Sequence, residues 1–115
     1  MDVNKTSIFQ MASHRLEWLT ARQKVVAENI ANANTPGYVG RDVQKFEDFL
    51  KDDRFGAERT ITEESASRWG GSKDGNTVVL EEQTILANQI SGEFRLASRL
   101  YSKSHQLIAL ASGRR

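Results

Sequence analysis

The chain has no cysteine, which excludes disulfides, thiolate metal sites and cysteine nucleophiles together. It has one proline, Pro36, in 115 residues, so long stretches are free to be helical. Apolar runs are short. The longest, Leu107 to Ala111, is far from the ~20 residues that a membrane-crossing helix needs. An excess of one charge sign is missing too: 16 Lys+Arg stand against 15 Asp+Glu, a net charge of +1. That balance argues against a dedicated nucleic-acid binder, which needs a clustered basic surface. Met1-Asp2-Val3-Asn4-Lys5 shows no basic segment leading into an apolar one, so no cleaved secretory signal is expected. With 38% apolar residues, the chain suits one domain with a modest core.

What is present is helical periodicity at both ends. From Ile8 to Ala33 there is no Gly or Pro, and Phe9, Ala12, Leu16, Leu19, Gln23, Val26, Ile30 and Ala33 recur at steps of three and four. Seven of those eight are apolar, an a/d stripe. Ile8, Met11, Trp18 and Val25 widen it. Ser7-Ile8-Phe9-Gln10 fits a capping box at the start. Asn34 is placed to end the helix in left-handed geometry, and Pro36-Gly37 fits the centre of a type II turn. In the last zone Val79, Gln83, Leu86, Ile90, Glu93, Ala97, Leu100, Ser104, Leu107 and Ala111 step by fours and threes, beside a seven-spaced line from Leu80 to Ile108. Gly113 is a natural stop.

The middle, residues 34–79, carries nine acids, seven bases and 13 apolar residues of 46. A short amphipathic helix within 42–51 is expected, using Val43, Phe46, Phe49 and Leu50. Arg59-Thr60-Ile61-Thr62 reads as a short strand, and Gly70 to Asn76 as turns. The fold class is therefore mainly α: two long terminal helices in a coiled-coil-like hairpin with a largely irregular middle. Residues 1–34 and 80–115 form one discontinuous helical domain, and 35–79 a turn and flexible segment. The residues expected to pack helix on helix or subunit on subunit are Leu16, Leu19, Val26, Ile30, Ile90, Phe94, Ala97, Leu100 and Leu107.

Little else suggests chemistry. His14 and His105 stand at the outer ends of their helices without metal-ligand spacing, and read as surface or interface histidines. Asp74-Gly75-Asn76 lacks the later ligands of a calcium loop. Gly70-Gly71-Ser72-Lys73 lacks the frame of a phosphate-binding loop. Asp52-Asp53 and Glu63-Glu64 sit among bases as a solvated face. No nucleophile–base set stands out. The asparagines are more telling: Asn29 lies inside a helix, where its amide is unfavourable without a partner. Partnered, it would fix the register of packed helices.

Ala27-Glu28-Asn29-Ile30-Ala31-Asn32-Ala33-Asn34-Thr35-Pro36-Gly37-Tyr38 resembles the N-terminal signature of the bacterial flagellar rod and hook proteins. Arg41-Asp42-Val43 with Phe46, Asp74 to Val78 followed by Leu80-Glu81-Glu82-Gln83, Arg99 to Lys103 and Leu107 to Ala111 narrow the resemblance to the flagellar basal-body rod protein family, at its proximal-rod members. Val79 departs from it, standing where a polar helix-opening residue is expected. Asn29, Asn32, Asn34, Thr35, Pro36, Gly37 and Tyr38 carry the signature turn.

The resemblance implies a structural axial component with no catalysis and no cofactor. It would polymerise into the proximal rod, which carries torque from the membrane ring to the hook. It implies type III export without a cleaved signal peptide, to the periplasmic part of the basal body. The partners implied are other flagellar rod proteins, the rod-base adaptor, the export gate and further copies in a helical assembly, with no nucleic acid and no direct membrane span. The helix stripes alone do not exclude a helical-hairpin adaptor or export chaperone of a secretion apparatus, which the Asn and Pro-Gly-Tyr signature disfavours. An enzyme with a flexible lid would need a convergent titratable cluster, which the sequence does not offer.

Overall fold

The two periodic zones are two long helices lying side by side. The computed structural model describes residues 3–52, 62–64 and 78–113. In chain order these form α1 (Val3–Ala31), β1 (Arg41–Val43), α2 (Phe46–Lys51), β2 (Thr62–Glu64) and α3 (Leu80–Ala111). Contacts pair Phe9 with Tyr101, Arg15 with Glu93 and Asn29 with Gln83, so α1 and α3 run antiparallel. At ~1.5 Å per residue their 29 and 32 residues span roughly 44 and 48 Å.

The stripes face one another. Ala12, Leu19 and Val26 of α1 are buried, as are Gln83, Ile90, Ala97 and Ser104 of α3, which are spaced by sevens. The rest of the core sits where the segment after the turn folds back. Phe49 of α2 is fully buried together with Leu19 and Ile90, and Trp18, Val25, Val26, Val43 and Ala97 complete the cluster. Side chains such as Leu19, Phe49 and Ile90 each contribute about 1.5–3 kcal/mol by leaving water. The core is concentrated towards the turn end of the helix pair. Nearer the termini Ala12, Ala97 and Ser104 are buried between flanks that are exposed.

Several local expectations are corrected. Ser7 is not where the helix starts: α1 runs on upstream to Val3, through residues that include no Gly or Pro to stop it. At its other end α1 stops at Ala31, and the chain leaves through overlapping turns, Ala33 N–H to Ile30 O at 3.2 Å and Thr35 N–H to Asn32 O at 3.0 Å. Asn34 takes no left-handed conformation; among the described residues positive φ is confined to Gly37 and Gly113. Within the 42–51 stretch the helix begins only at Phe46, since Arg41–Val43 is extended and pairs antiparallel with Thr62–Glu64, Val43 opposite Thr62. Of the strand expected at 59–62, Thr62 alone falls among the described residues, and it opens β2. Arg59 to Ile61, Gly70 to Lys73 and Asp74 to Thr77 lie outside the described residues.

The remaining ends follow simple rules. α2 carries Glu47 and Asp48 in its first turn and Lys51 in its last, matching the helix dipole. α3 opens on Val79 in extended geometry without a side-chain cap, but with Glu81 and Glu82 in the first turn. It closes at Gly113, whose φ of 76° suits a residue lacking Cβ.

Candidate functional site

Asn29 is the polar centre of the α1–α3 interface. Its side chain is fully buried, and its Nδ2 donates to the Arg41 carbonyl at 2.7 Å and to Gln83 Oε1 at 3.0 Å. Its Oδ1 accepts the Arg41 N–H at 3.0 Å and the Tyr38 hydroxyl at 3.2 Å. An amide offers two donors and two lone pairs, and all four are used. This also fixes the orientation of the amide, because the opposite one would set an NH₂ against the Arg41 N–H. One side chain thereby joins α1, α3, β1 and the residue that follows the turn.

The turn brings those partners within reach. The Tyr38 N–H bonds to the Thr35 carbonyl at 3.2 Å across Pro36-Gly37, and Gly37 has φ 75°, as the third position of a type II turn requires. Asn32 Nδ2 donates to the Glu28 carbonyl at 2.9 Å, and its Oδ1 accepts from Thr35 Oγ1 at 3.1 Å. Asn34, Thr35, Pro36 and Gly37 are exposed, and Tyr38 is half-buried.

A second cluster lies about three turns back along α1. Trp18 is buried and its Nε1 donates to the Gln44 carbonyl at 2.7 Å. The Arg15 guanidinium lies 4.6 Å from the Trp18 ring and 4.8 Å from that of Phe46, and donates to Glu93 of α3 at 3.2 Å. Arg22 lies 5.3 Å from the Trp18 ring and grips Asp42 through Nε and Nη2, both at 3.0 Å. Such forked pairs combine charge with directional hydrogen bonds, and each cation over an aromatic face adds about 0.5–1 kcal/mol at partly exposed sites. Among the described residues every buried side-chain nitrogen or oxygen has a partner.

The residues singled out for packing divide between interior and surface. Leu19, Val26, Ile90 and Ala97 are buried, while Leu16, Ile30 and Phe94 are half-buried against the core. Leu100 and Leu107 are 47% and 43% exposed. His14 Nδ1 lies 3.9 Å from Glu17, and the His105 ring lies 6.0 Å from that of Phe9. No group of three or more His, Cys, Asp or Glu able to hold a metal gathers among the described residues. Sequence reasoning missed Gln83, which read as a polar interruption of the α3 stripe, and the Trp18–Gln44 bond. The available signal was a polar residue, Gln83, on the α3 stripe near the turn, together with an Asn inside α1 that needs a partner.

Residues 9–38, which contain the Asn29 to Tyr38 turn, match the flagella basal body rod protein family. Over an alignment of 121 residues covering 90% of each chain, the protein is 32% identical to the flagellar basal body rod protein FlgB of Agrobacterium fabrum (strain C58 / ATCC 33970). The chain belongs to the flagellar basal-body rod protein family. As a rod protein it is structural and not an enzyme, which accords with a site built of ties between elements. No helix of the rod protein is long and apolar enough, among the described residues, to cross a membrane.

Proposed function

We propose that this protein polymerises into the proximal rod of the flagellar basal body and passes torque from the membrane ring towards the hook. In this reading residues 1–34 and 80–115 form the rod core, with coiled-coil-like packing between α1 and α3. The seven-residue recurrence of buried Gln83, Ile90, Ala97 and Ser104 supports that packing. The protein works in the periplasmic part of the rod after type III export without a cleaved signal. Its neighbours are further copies, other rod proteins, the rod-base adaptor and the export gate.

The observation that carries the reading is a family-signature helix pair that leaves large apolar side chains uncovered along its length. Leu96 is 68% exposed and Leu110 67%, with Met11, Ile85, Leu100 and Leu107 all above 40%. Apolar faces of this extent mark contact surfaces. A heterologous contact that does not close on itself gives a helical tube. The test is mass spectrometry of purified hook–basal bodies from the source cell. Stoichiometric presence after detergent and high salt is the expected result. Absence, with the chain soluble in the cytoplasm, overturns the reading in favour of an adaptor.

A further inference from the structure

The charges of α3 are segregated. Its first half, Leu80 to Glu93, contains Glu81, Glu82 and Glu93 and no base; its second half, Phe94 to Ala111, contains Arg95, Arg99 and Lys103 and no acid. The helix's own dipole accounts for the first pair of glutamates. It does not account for the bases, because its influence fades beyond the terminal turns and the last turn of α3 holds none. Residues 3–16 of α1, which lie beside the basic half, also lack any Asp or Glu.

An apolar seam runs through the same surface. Ile85, Leu96, Leu100, Lys103, Leu107 and Leu110 share one face of α3 at heptad-like spacing, flanking the buried line of Ile90, Ala97 and Ser104. Lys103 is exposed, and the five apolar members are between 43% and 68% exposed. Where the seam passes Met11 and Phe46 it borders a groove of about 260 Å³. The acidic half offers exposed apolar side chains of its own, Leu80 at 46% and Ile85 at 51%.

We propose that the basic second half of α3 docks a second copy of this chain, which presents the acidic first half of its own α3. Each copy then uses one half for the neighbour ahead and the other for the neighbour behind, so the contact is staggered and does not close. Arg99 and Lys103 meet Glu81 across the contact while the seam leucines bury the neighbour's Leu80 and Ile85. This deepens the assembly reading above and rests on it for the direction of growth.

The test uses the full purified chain in sedimentation velocity across a concentration series, at low and high salt. The wild-type chain is expected to form species beyond the dimer that grow with concentration and shrink as salt screens the opposed charges. Arg99→Glu with Lys103→Glu, and separately Glu81→Lys, are each expected to sediment as monomers with unchanged helical circular dichroism. An equal mixture of the two is expected to associate again, because each reversed half meets its complement. Should either charge variant lose its helicity, Leu96→Ser with Leu110→Ser, at the most exposed seam positions, carries the test through loss of association. A wild-type chain that stays monomeric or stops at the dimer overturns the proposal. So does association indifferent to salt, or a mixture that stays monomeric. The chain's presence in basal bodies is scored separately, so this surface and the rod assignment fail independently.

Discussion

Asn29 on α1 and Gln83 on α3 are joined by a 3.0 Å hydrogen bond between two buried amides, 54 residues apart in sequence. Asn29→Ala would leave the Arg41 N–H and carbonyl, the Tyr38 hydroxyl and the Gln83 amide to find other partners. Each buried polar group left unpaired costs about 1–3 kcal/mol, so a loss of at least 2–3 kcal/mol is expected in thermal or urea unfolding. Asn29→Asp, nearly the same shape, is expected to be as damaging, because a carboxylate cannot donate to the Arg41 carbonyl or to Gln83 Oε1. A Gln83→Leu change in the Asn29→Ala background should cost less than in the wild type, since the partner is already lost.

Trp18→Phe keeps a ring beside Phe46 and Arg15 but removes the donor to the Gln44 carbonyl. The expected cost is about 1–3 kcal/mol for the loss of this buried hydrogen bond. Chemical denaturation gives the cost, and near-ultraviolet circular dichroism reports whether the remaining rings keep their packing. A change of less than about 0.5 kcal/mol would show that water reaches the Gln44 carbonyl as easily as the indole does.

Gly37→Ala tests the turn. A Cβ at Gly37 would meet nothing within 4 Å, so any cost comes from the left-handed backbone at φ 75° and is expected to be about 1–2 kcal/mol. Gly113→Ala has the same open surroundings and a φ of 76°. It is expected to cost less in global unfolding, because it ends a helix and closes no loop onto the core. Similar melting losses for both variants would contradict this account.

Arg22→Lys preserves charge and loses the fork on Asp42. With side chains 21% and 30% exposed, this pair is partly screened by solvent. The loss is expected to be about 0.5–1 kcal/mol, and smaller at high salt. Equal stability of Arg22→Lys and wild type at low salt would mean that only the charge matters there.

The long helices and the turn were legible because their causes are local. Stripes such as Leu16, Leu19, Val26 and Ile30 declare a helix face, and Pro36-Gly37 declares a reversal. What was not legible depended on distant partners. The capping motif at Ser7 is locally sound, yet nothing upstream ends the helix, so α1 continues to Val3. Arg41–Val43 is too short for a strand period to show. Its extended form accompanies contacts made elsewhere: Asn29 takes both the N–H and the carbonyl of Arg41, and Asp42 accepts from Arg22 and from the Val43 N–H. The role of Asn29 in register was foreseeable as a need for a partner, but naming Gln83 required knowing that α3 returns antiparallel beside it.

The uneven placement of the ties has a mechanical meaning. Asn29, Arg22, Trp18 and Arg15 brace the half of the hairpin nearer the turn, whereas the far half is closed by apolar surface and the Phe9–Tyr101 ring contact at 4.7 Å. A load along the long axis would strain the Asn29–Gln83 and Arg15–Glu93 ties together, since these two cross from α1 to α3, while Trp18 and Arg22 hold Gln44 and Asp42 against α1. A load prising the termini apart would meet only the weaker end and could advance one helical turn at a time until it reached Arg15. The pair is thus stiff as a strut under shear and comparatively soft to peeling, with the transition between the two behaviours near Arg15 and Glu93.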